Sequence, residues 1–322
     1  MLSAAKLAQT LKLAELKTLA TLCGVSSSGT KASLAQRLQS SVSGVTVESG
    51  MPASEQRILS VDMGIRNLAV SFLTTSSKFK SDGLGPRTPP LGVTVNSWSR
   101  VDLTRLMGDV QTDEDAWSPD VMSDMTLDLV QNLFLSTEKS PTHILIERQR
   151  FRSGGGSAVQ EWTLRVNTLE AMIYSTLKTM KSCGHWKGKI IPIVPKRVGP
   201  FWVESTTESE GILDHDKKAS KSKNSKARHK KEKIDLIGKW LIQGEIKPVG
   251  QADIMAKSYL QRWQGKRTKK STKDENSDGD RLQKLDDLAD CLLQGLAWIK
   301  WQDNQRILIS GGPAALLENL SS

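Results

Sequence analysis

The sequence predicts an α/β fold preceded by a small helical module. Five short apolar runs have the length of strands, and several longer segments repeat apolar residues at helical spacing. The chain of 322 residues suffices for one large domain and one small one, and an apolar fraction of 38% is adequate for a core. The net charge of +10 favours a polyanionic partner such as nucleic acid.

The first two strands flank an aspartate. Residues 58–61 and 68–73 are apolar runs, and Asp62 directly follows the first, two residues before Gly64. A charge at the end of a buried strand is costly unless it is paired or holds a metal ion. Asp62 could instead begin a tight turn. A turn explains Gly64, but it explains poorly why the carboxylate follows three apolar residues.

A second carboxylate has the same placement. Residues 91–101 alternate like a third strand, which forms an antiparallel meander with the first two, and 119–135 has a helical period. The run 142–147, THILIE, is a fourth strand that ends in Glu147. Two such cases in one domain indicate carboxylates that meet where neighbouring strands end.

Three arginines follow Glu147, namely Arg148, Arg150 and Arg152. Arg148 or Arg150 could pair with Glu147 at an exposed strand end, or the arginines could grip phosphates bidentately. The glycines at 154–156 permit a close backbone approach, but they match neither the P-loop nor the dinucleotide pattern.

Residues 159–180 predict a long helix, and 190–194 predict the fifth strand. Lys196 and Arg197 then precede the Phe-Trp pair at 201–202. Bases stack on aromatic rings, so this combination suits nucleic-acid binding. The alternative, at least as well supported, is a core tryptophan with basic residues on the surface.

Residues 217–233 form a dense basic run, which predicts a solvated arm that DNA could order. Helices are predicted at 234–242, 253–264 and 282–301. The last carries Asp286, Asp287 and Asp290 in its first turns. The helix dipole favours acids there, which accounts for the first two but less well for Asp290, which lies among apolar residues.

The three cysteines and four histidines show neither disulfide nor metal-ligand spacing, which indicates a reducing compartment. No apolar run is long enough to span a bilayer. The first fourteen residues lack acids and faintly resemble a transit peptide.

Residues 1–42 predict a separate helical hairpin with Gly24 ending its first helix and Thr30 capping its second. The segment 11–39 resembles the SAP motif, a small DNA-binding module, and by that resemblance Lys17, Lys31 and Arg37 face DNA phosphates. Residues 43–56 are small and polar and predict a linker.

The separate module leads to an expectation about deletion. Leu13, Leu16, Leu34 and Leu38 can bury one another within the module. Removal of residues 1–42 is therefore expected to leave a folded domain with weaker DNA binding.

Three motifs, DMGIRNLA, ILIERQRFR and KLDDLADCLLQ, occur in the order found in one family. Together they resemble the fungal mitochondrial Holliday-junction resolvases, relatives of bacterial RuvC in the ribonuclease-H-like superfamily. The resemblance implies a mixed five-stranded sheet flanked by helices over 57–310, with a basic insert at about 205–232. It also implies a homodimer in the mitochondrion.

By this resemblance, Asp62, Glu147 and Asp290 are catalytic ligands of Mg²⁺, for which Mn²⁺ can substitute. The second helix ligand is Asp287 by its spacing, while Asp286 remains an alternative. Two such ions suit phosphodiester cleavage. Arg66, Arg148, Arg150, Arg152, Lys196 and Arg197 are expected to contact DNA.

The function expected from these motifs is a structure-selective endonuclease that resolves four-way DNA junctions by symmetric paired nicks. Two alternatives are a non-catalytic SAP-containing protein that binds junctions or other DNA, and a ribonuclease acting on RNA–DNA hybrids.

Overall fold

The computed structural model describes residues 3–43, 55–76, 88–106, 117–136, 140–149, 161–203, 218–265 and 285–318. Its centre is one mixed sheet in the order β5-β4-β1-β2-β3-β6. The strands are β1 (Arg57–Asp62), β2 (Leu68–Thr75), β3 (Val93–Val101), β4 (His143–Glu147), β5 (Lys189–Ile193) and β6 (Lys247–Pro248).

The pairing of the strands confirms the antiparallel meander of β1, β2 and β3, and it places β4 and β5 parallel to β1. The sheet has six strands rather than the five predicted. The sixth, β6, pairs with β3 over two residues, and its Pro248 lies at the sheet edge, where a missing backbone donor is tolerated.

Helices cover both faces of the sheet. They are α1 (Ala4–Thr10), α2 (Leu13–Leu22), α3 (Lys31–Ser43), α4 (Pro119–Asp128), α5 (Glu161–Ser182), α6 (Pro195–Trp202), α7 (Lys218–Gln243), α8 (Gln251–Trp263), α9 (Leu285–Ser310) and α10 (Gly312–Glu318). A π-helical turn, Leu129–Phe134, extends α4. The basic run is helical over 218–233 as part of α7, and its residues 228–231 are exposed.

Alternation along the strands divides the core into two parts. Ile144 and Ile146 face α4 and α5 on one side of the sheet, whereas Leu145 faces α6, α7, α8 and α9 on the other. Trp202 is 1% exposed in the second part, and its Nε1 donates to the Leu293 carbonyl at 2.9 Å. The core alternative for Trp202 is therefore correct, and the ring is not available for base stacking.

The N-terminal residues form three helices, and the two predicted turns of the hairpin are present. Gly24 ends α2 with φ of 68°. Thr30 Oγ1 accepts a hydrogen bond from the Ser33 amide at 3.3 Å at the start of α3. Leu16 is fully buried, but Leu13 is 42% exposed, so its predicted place in the core of the module is wrong.

These helices pack against the rest of the chain, and their leucines belong to the same apolar cluster as α9. Asn304 Nδ2 donates to the Leu22 carbonyl at 2.7 Å, and Gln305 Nε2 donates to the Cys23 carbonyl at 2.8 Å. The expectation that the N-terminal leucines bury only one another therefore needs correction.

All three cysteines lie in described segments and are free. Within the described ranges, no helix combines the length and the apolar character needed to cross a bilayer.

Candidate active site

Two carboxylates leave the sheet at the same end. The pairing of β1 with β4 is parallel and sets Val61 opposite Ile146. The next residue of each strand is an acid, Asp62 on β1 and Glu147 on β4. Because both strands run in the same direction, both acids lie at the carboxyl end of the sheet, where α/β proteins place their ligands.

Asp62 and Glu147 are in direct contact through a side-chain hydrogen bond. Burial raises the pKa of Asp62 well above its usual range, and the hydrogen bond and negative charge of Glu147 raise it further, followed by the charges of Asp290 and Asp287. Burial and the neighbouring acids therefore make a negative charge on Asp62 costly, and a bound cation would offset that cost.

Helix α9 brings its aspartates to the same place because polar side chains fix it on the sheet. Gln294 Nε2 donates to Ser60 Oγ at 3.1 Å. Asp290 lies one turn earlier on the same helical face, so it stands beside the end of β1. The charges of Asp287 and Asp290 both raise the pKa of Asp62. The charge of Asp286 raises the pKa of Asp290 instead.

Two lysines of α7 bind the acids of α9. Lys230 Nζ donates to Asp286 Oδ2 at 2.5 Å, and Lys233 Nζ donates to Asp290 Oδ1. Burial raises the pKa of Asp290 above its ordinary value, and the charge of Lys233 and its hydrogen bond oppose that rise. The two ammonium groups neutralise part of the acidic cluster.

The sequence reasoning missed these lysines because it assigned them to a solvated arm. Lys230, Lys233, Ile237 and Trp240 recur at spacings of three and four residues, which is the period of one helical face. Ile237 and Trp240 are buried in the apolar cluster that contains α9. The helical face that carries Ile237 and Trp240 continues toward the N-terminus for two turns, and this periodicity could have identified the two lysines.

The acids do not form a closed metal site as they stand. Nowhere in the described part of the chain do three His, Cys, Asp or Glu side chains converge closely enough to hold a metal ion. One of these acids, Asp290, is in contact with an ammonium group, that of Lys233. The donor set itself fits hard divalent cations, which take carboxylate oxygens.

A cleft of about 840 Å³ opens beside Glu147. One arginine and two lysines line it, namely Arg148 after β4, Lys196 on α6 and Lys233 on α7. Arg148 and Lys196 are exposed. An acid at the margin of a basic cleft is suited to binding a phosphodiester backbone next to carboxylates that act on it.

The other predicted DNA-contacting residues lie at several places. Arg66 is exposed and lies 5.8 Å from the centre of the Trp162 ring. Lys17 is exposed on α2, and Lys31 is half-buried at the start of α3. Arg37 and Arg197 line a second cleft. Arg150 and Arg152 lie outside the described residues.

The mixed sheet and its flanking helices define a ribonuclease-H-like fold. Residues 58–308 match the family described as mitochondrial resolvase Ydc2 / RNA splicing MRS1, and the chain belongs to that family. The family resemblance inferred from the three motifs is thereby confirmed.

Two curated relatives and one crystal structure agree with this assignment. The mitochondrial cruciform cutting endonuclease 1 of Schizosaccharomyces pombe is 31% identical over 302 residues, which cover 91% of this chain and 93% of the relative. The protein of the same name from Saccharomyces cerevisiae is 23% identical over 263 residues, covering 77% and 69%. The crystal structure of the yeast mitochondrial Holliday junction resolvase Ydc2 matches with a TM-score of 0.56 and 27% identity, over 92% of this chain and 96% of that one.

Proposed function

We propose that this protein is a structure-selective DNA endonuclease that resolves four-way junctions by paired nicks in opposed strands. The observation that carries the proposal is the acidic cluster at the carboxyl end of β1 and β4, completed by α9 and bordered by a basic cleft. The family description covers both a resolvase and a splicing protein. The choice between these functions must therefore rest on the site and not on family membership alone. Both curated relatives are named as mitochondrial, which supports the same compartment for this chain.

We assign Asp62, Glu147, Asp287 and Asp290 as the ligands of two Mg²⁺ ions, with Mn²⁺ as a substitute. When bound, such ions activate a water molecule and stabilise the leaving oxygen in phosphodiester hydrolysis. The chain supplies the rigid placement of the carboxylates: the parallel pairing of β1 with β4 sets two of them, and the contact of α9 with the sheet sets the others.

The basic side chains of the cleft would hold the DNA backbone against these acids. Arg148 presents a planar guanidinium to a phosphate, and Lys196 adds a second positive charge. Such contacts supply affinity, whereas the branched shape of the junction supplies selectivity. A homodimer would present two sites related by a two-fold axis, which matches the two strands to be cut.

The decisive experiment is cleavage of an end-labelled four-way junction in Mg²⁺ and in EDTA, beside a linear duplex and an RNA–DNA hybrid of the same sequence. We expect cutting of the junction alone, at paired positions, in Mg²⁺ alone. Tight junction binding without cleavage would identify a non-catalytic binding protein, and preferential cutting of the hybrid would identify a ribonuclease.

Asp286 and Asp287 are expected to differ in importance. The negative charge of Asp287 raises the pKa of Asp62, whereas Asp286 forms an ion pair with Lys230. The Asp287→Asn variant should therefore lose cleavage by about two to three orders of magnitude, since a metal ion contributes several kcal/mol to the transition state. Asp286→Asn should lose no more than a few-fold. Single-turnover rates on the junction decide, and equal losses would contradict the assignment.

Lys233 is expected to compete with a cation for Asp290. The pair is partly exposed, at 19% for the lysine side chain and 36% for the aspartate, so it contributes at most about 1 kcal/mol. Lys233→Met should bind Mn²⁺ about two- to fivefold more tightly in the absence of DNA. Lys239→Met is the matched control, because Lys239 is exposed on the same helix, outside the face that carries Lys233 and Ile237. The Mn²⁺ affinity of each variant is measured from the rise of its unfolding temperature with Mn²⁺ concentration. Equal affinities in the two variants would refute the competition.

A further inference from the structure

A second cleft, of about 530 Å³, lies where the N-terminal helices meet α6. Its lining joins two distant parts of the sequence, because Arg37 belongs to α3 and Arg197 to α6. Four serines contribute to the wall: Ser26, Ser33, Ser40 and Ser41. None of the lining residues that the structure describes is acidic. Two guanidinium groups among hydroxyl groups are suited to one tetrahedral oxyanion.

The two arginines are held in place by backbone carbonyl groups. Arg197 Nη1 donates to the Gly24 carbonyl at 3.1 Å, across the boundary between α6 and the N-terminal helices. Arg37 Nη1 donates to the Ser26 carbonyl at 3.3 Å and to the Ser28 carbonyl. A guanidinium has five N–H donors, and these bonds use a single nitrogen of each group. Each arginine therefore retains donors for a ligand.

The closeness of the arginines has an energetic cost. Burial lowers the pKa of Arg197, and the positive charges of Arg37 and Arg148 lower it further. Anchoring a loop carbonyl requires a neutral donor only, so loop anchoring does not explain why two cations face one cleft. A bound anion would offset the repulsion between them.

Arg148 connects this second cleft with the acidic site. It lines the cleft beside Glu147, and its charge also acts on Arg197. Three arginines, Arg148, Arg197 and Arg37, thus extend from the catalytic carboxylates to the N-terminal helices. Because α2 is hydrogen-bonded to α9 through the carbonyl groups of Leu22 and Cys23, this spacing is set by the fold.

We propose that Arg37 and Arg197 together bind one backbone phosphate of a DNA arm, at a fixed distance from the phosphodiester that is cut. The proposal rests on the proposed nuclease function, because DNA supplies the phosphate. The N-terminal helices then form a fixed part of the surface that binds the junction. They do not act as an independently moving DNA-binding module.

The test is a scan of single methylphosphonate substitutions along one arm of a four-way junction, with binding measured in EDTA to the full-length protein. Neutralising the contacted phosphate should weaken wild-type binding by about tenfold, as expected for hydrogen bonds between charged groups. The Arg37→Gln, Arg197→Gln and double variants should bind the unmodified junction less tightly and should lose sensitivity at that one position. The double variant should be only slightly weaker than either single variant, because both residues serve the same phosphate.

Lys178→Gln is the charge-matched control, since Lys178 is exposed on α5, which packs on the opposite face of the sheet. It should keep the full positional sensitivity. If the arginine variants bind weakly but keep the wild-type sensitivity at every position, the arginines are structural and the proposal is wrong. Wild-type protein that neither binds nor cuts junctions would instead refute the proposed function.

Discussion

Replacement of Asp62 by asparagine is expected to lower the rate of junction cleavage by about three orders of magnitude, since metal-ion catalysis contributes several kcal/mol. The negative charges of Glu147, Asp287 and Asp290 all raise the pKa of Asp62, so Asp62 is the centre of the acidic cluster. An amide keeps the shape of the side chain but loses the negative charge that a divalent cation requires.

The variant should still fold and still bind the junction. Burial and the neighbouring carboxyl group of Glu147 oppose a negative charge on Asp62, so a neutral side chain is tolerated at this position. The amide group of asparagine can donate to the same carboxylate, so the contact between β1 and β4 is retained. Loss of cleavage together with loss of folding would therefore point to a structural role.

Single-turnover cleavage of a labelled junction and gel-shift binding in EDTA separate these outcomes. Asp124→Asn is the matched control, because Asp124 is exposed on α4, on the opposite face of the sheet from α9. It should cut at the wild-type rate. An Asp62→Asn protein that cuts within twofold of wild type would remove this residue from the site.

The strands and the two strand-end acids could be predicted because both depend on local sequence. An apolar run followed directly by a carboxylate defines Asp62 and Glu147, and parallel pairing then places them together. Asp290 could also be singled out from the local sequence, because a carboxylate among apolar residues of a helix is costly unless it is paired or holds a metal ion.

What could not be predicted depends on contacts between distant segments. The different surroundings of Asp286 and Asp287 depend on how α9 lies on the sheet and on Lys230, which is 56 residues away from Asp286 in sequence. The two-residue strand β6 forms only because β3 offers its edge. The packing of the N-terminal helices depends on apolar surface of α9, which no pattern within 1–42 reveals.

That packing reverses the expectation for deletion of residues 1–42. Cys23, Trp301 and Leu316 are each less than 5% exposed and lie in one cluster that spans both parts of the chain. Each large apolar side chain that deletion uncovers costs about 2 kcal/mol. Since whole domains are stable by only about 5–15 kcal/mol, the truncated protein should be unfolded or aggregated at 37 °C.

A pair of glycine substitutions tests the same interface without removing any residue. Gly24 and Gly244 both have positive φ, at 68° and 70°, so an alanine at either position carries backbone strain of about 1–2 kcal/mol. At Gly24 the added Cβ would also overlap the ring of Trp301, whereas at Gly244 it would meet nothing within 4 Å.

We therefore expect Gly24→Ala to lower the free energy of unfolding by about 1–3 kcal/mol more than Gly244→Ala, which is the usual cost of overpacking. Urea denaturation of the two full-length variants measures the difference, and the deletion protein is examined by circular dichroism and thermal unfolding. Equal stability of the two variants, together with a cooperative unfolding transition in the deletion protein, would show that the N-terminal helices contribute little to the core. The second part of the core would then be stable without them, as the sequence alone had suggested.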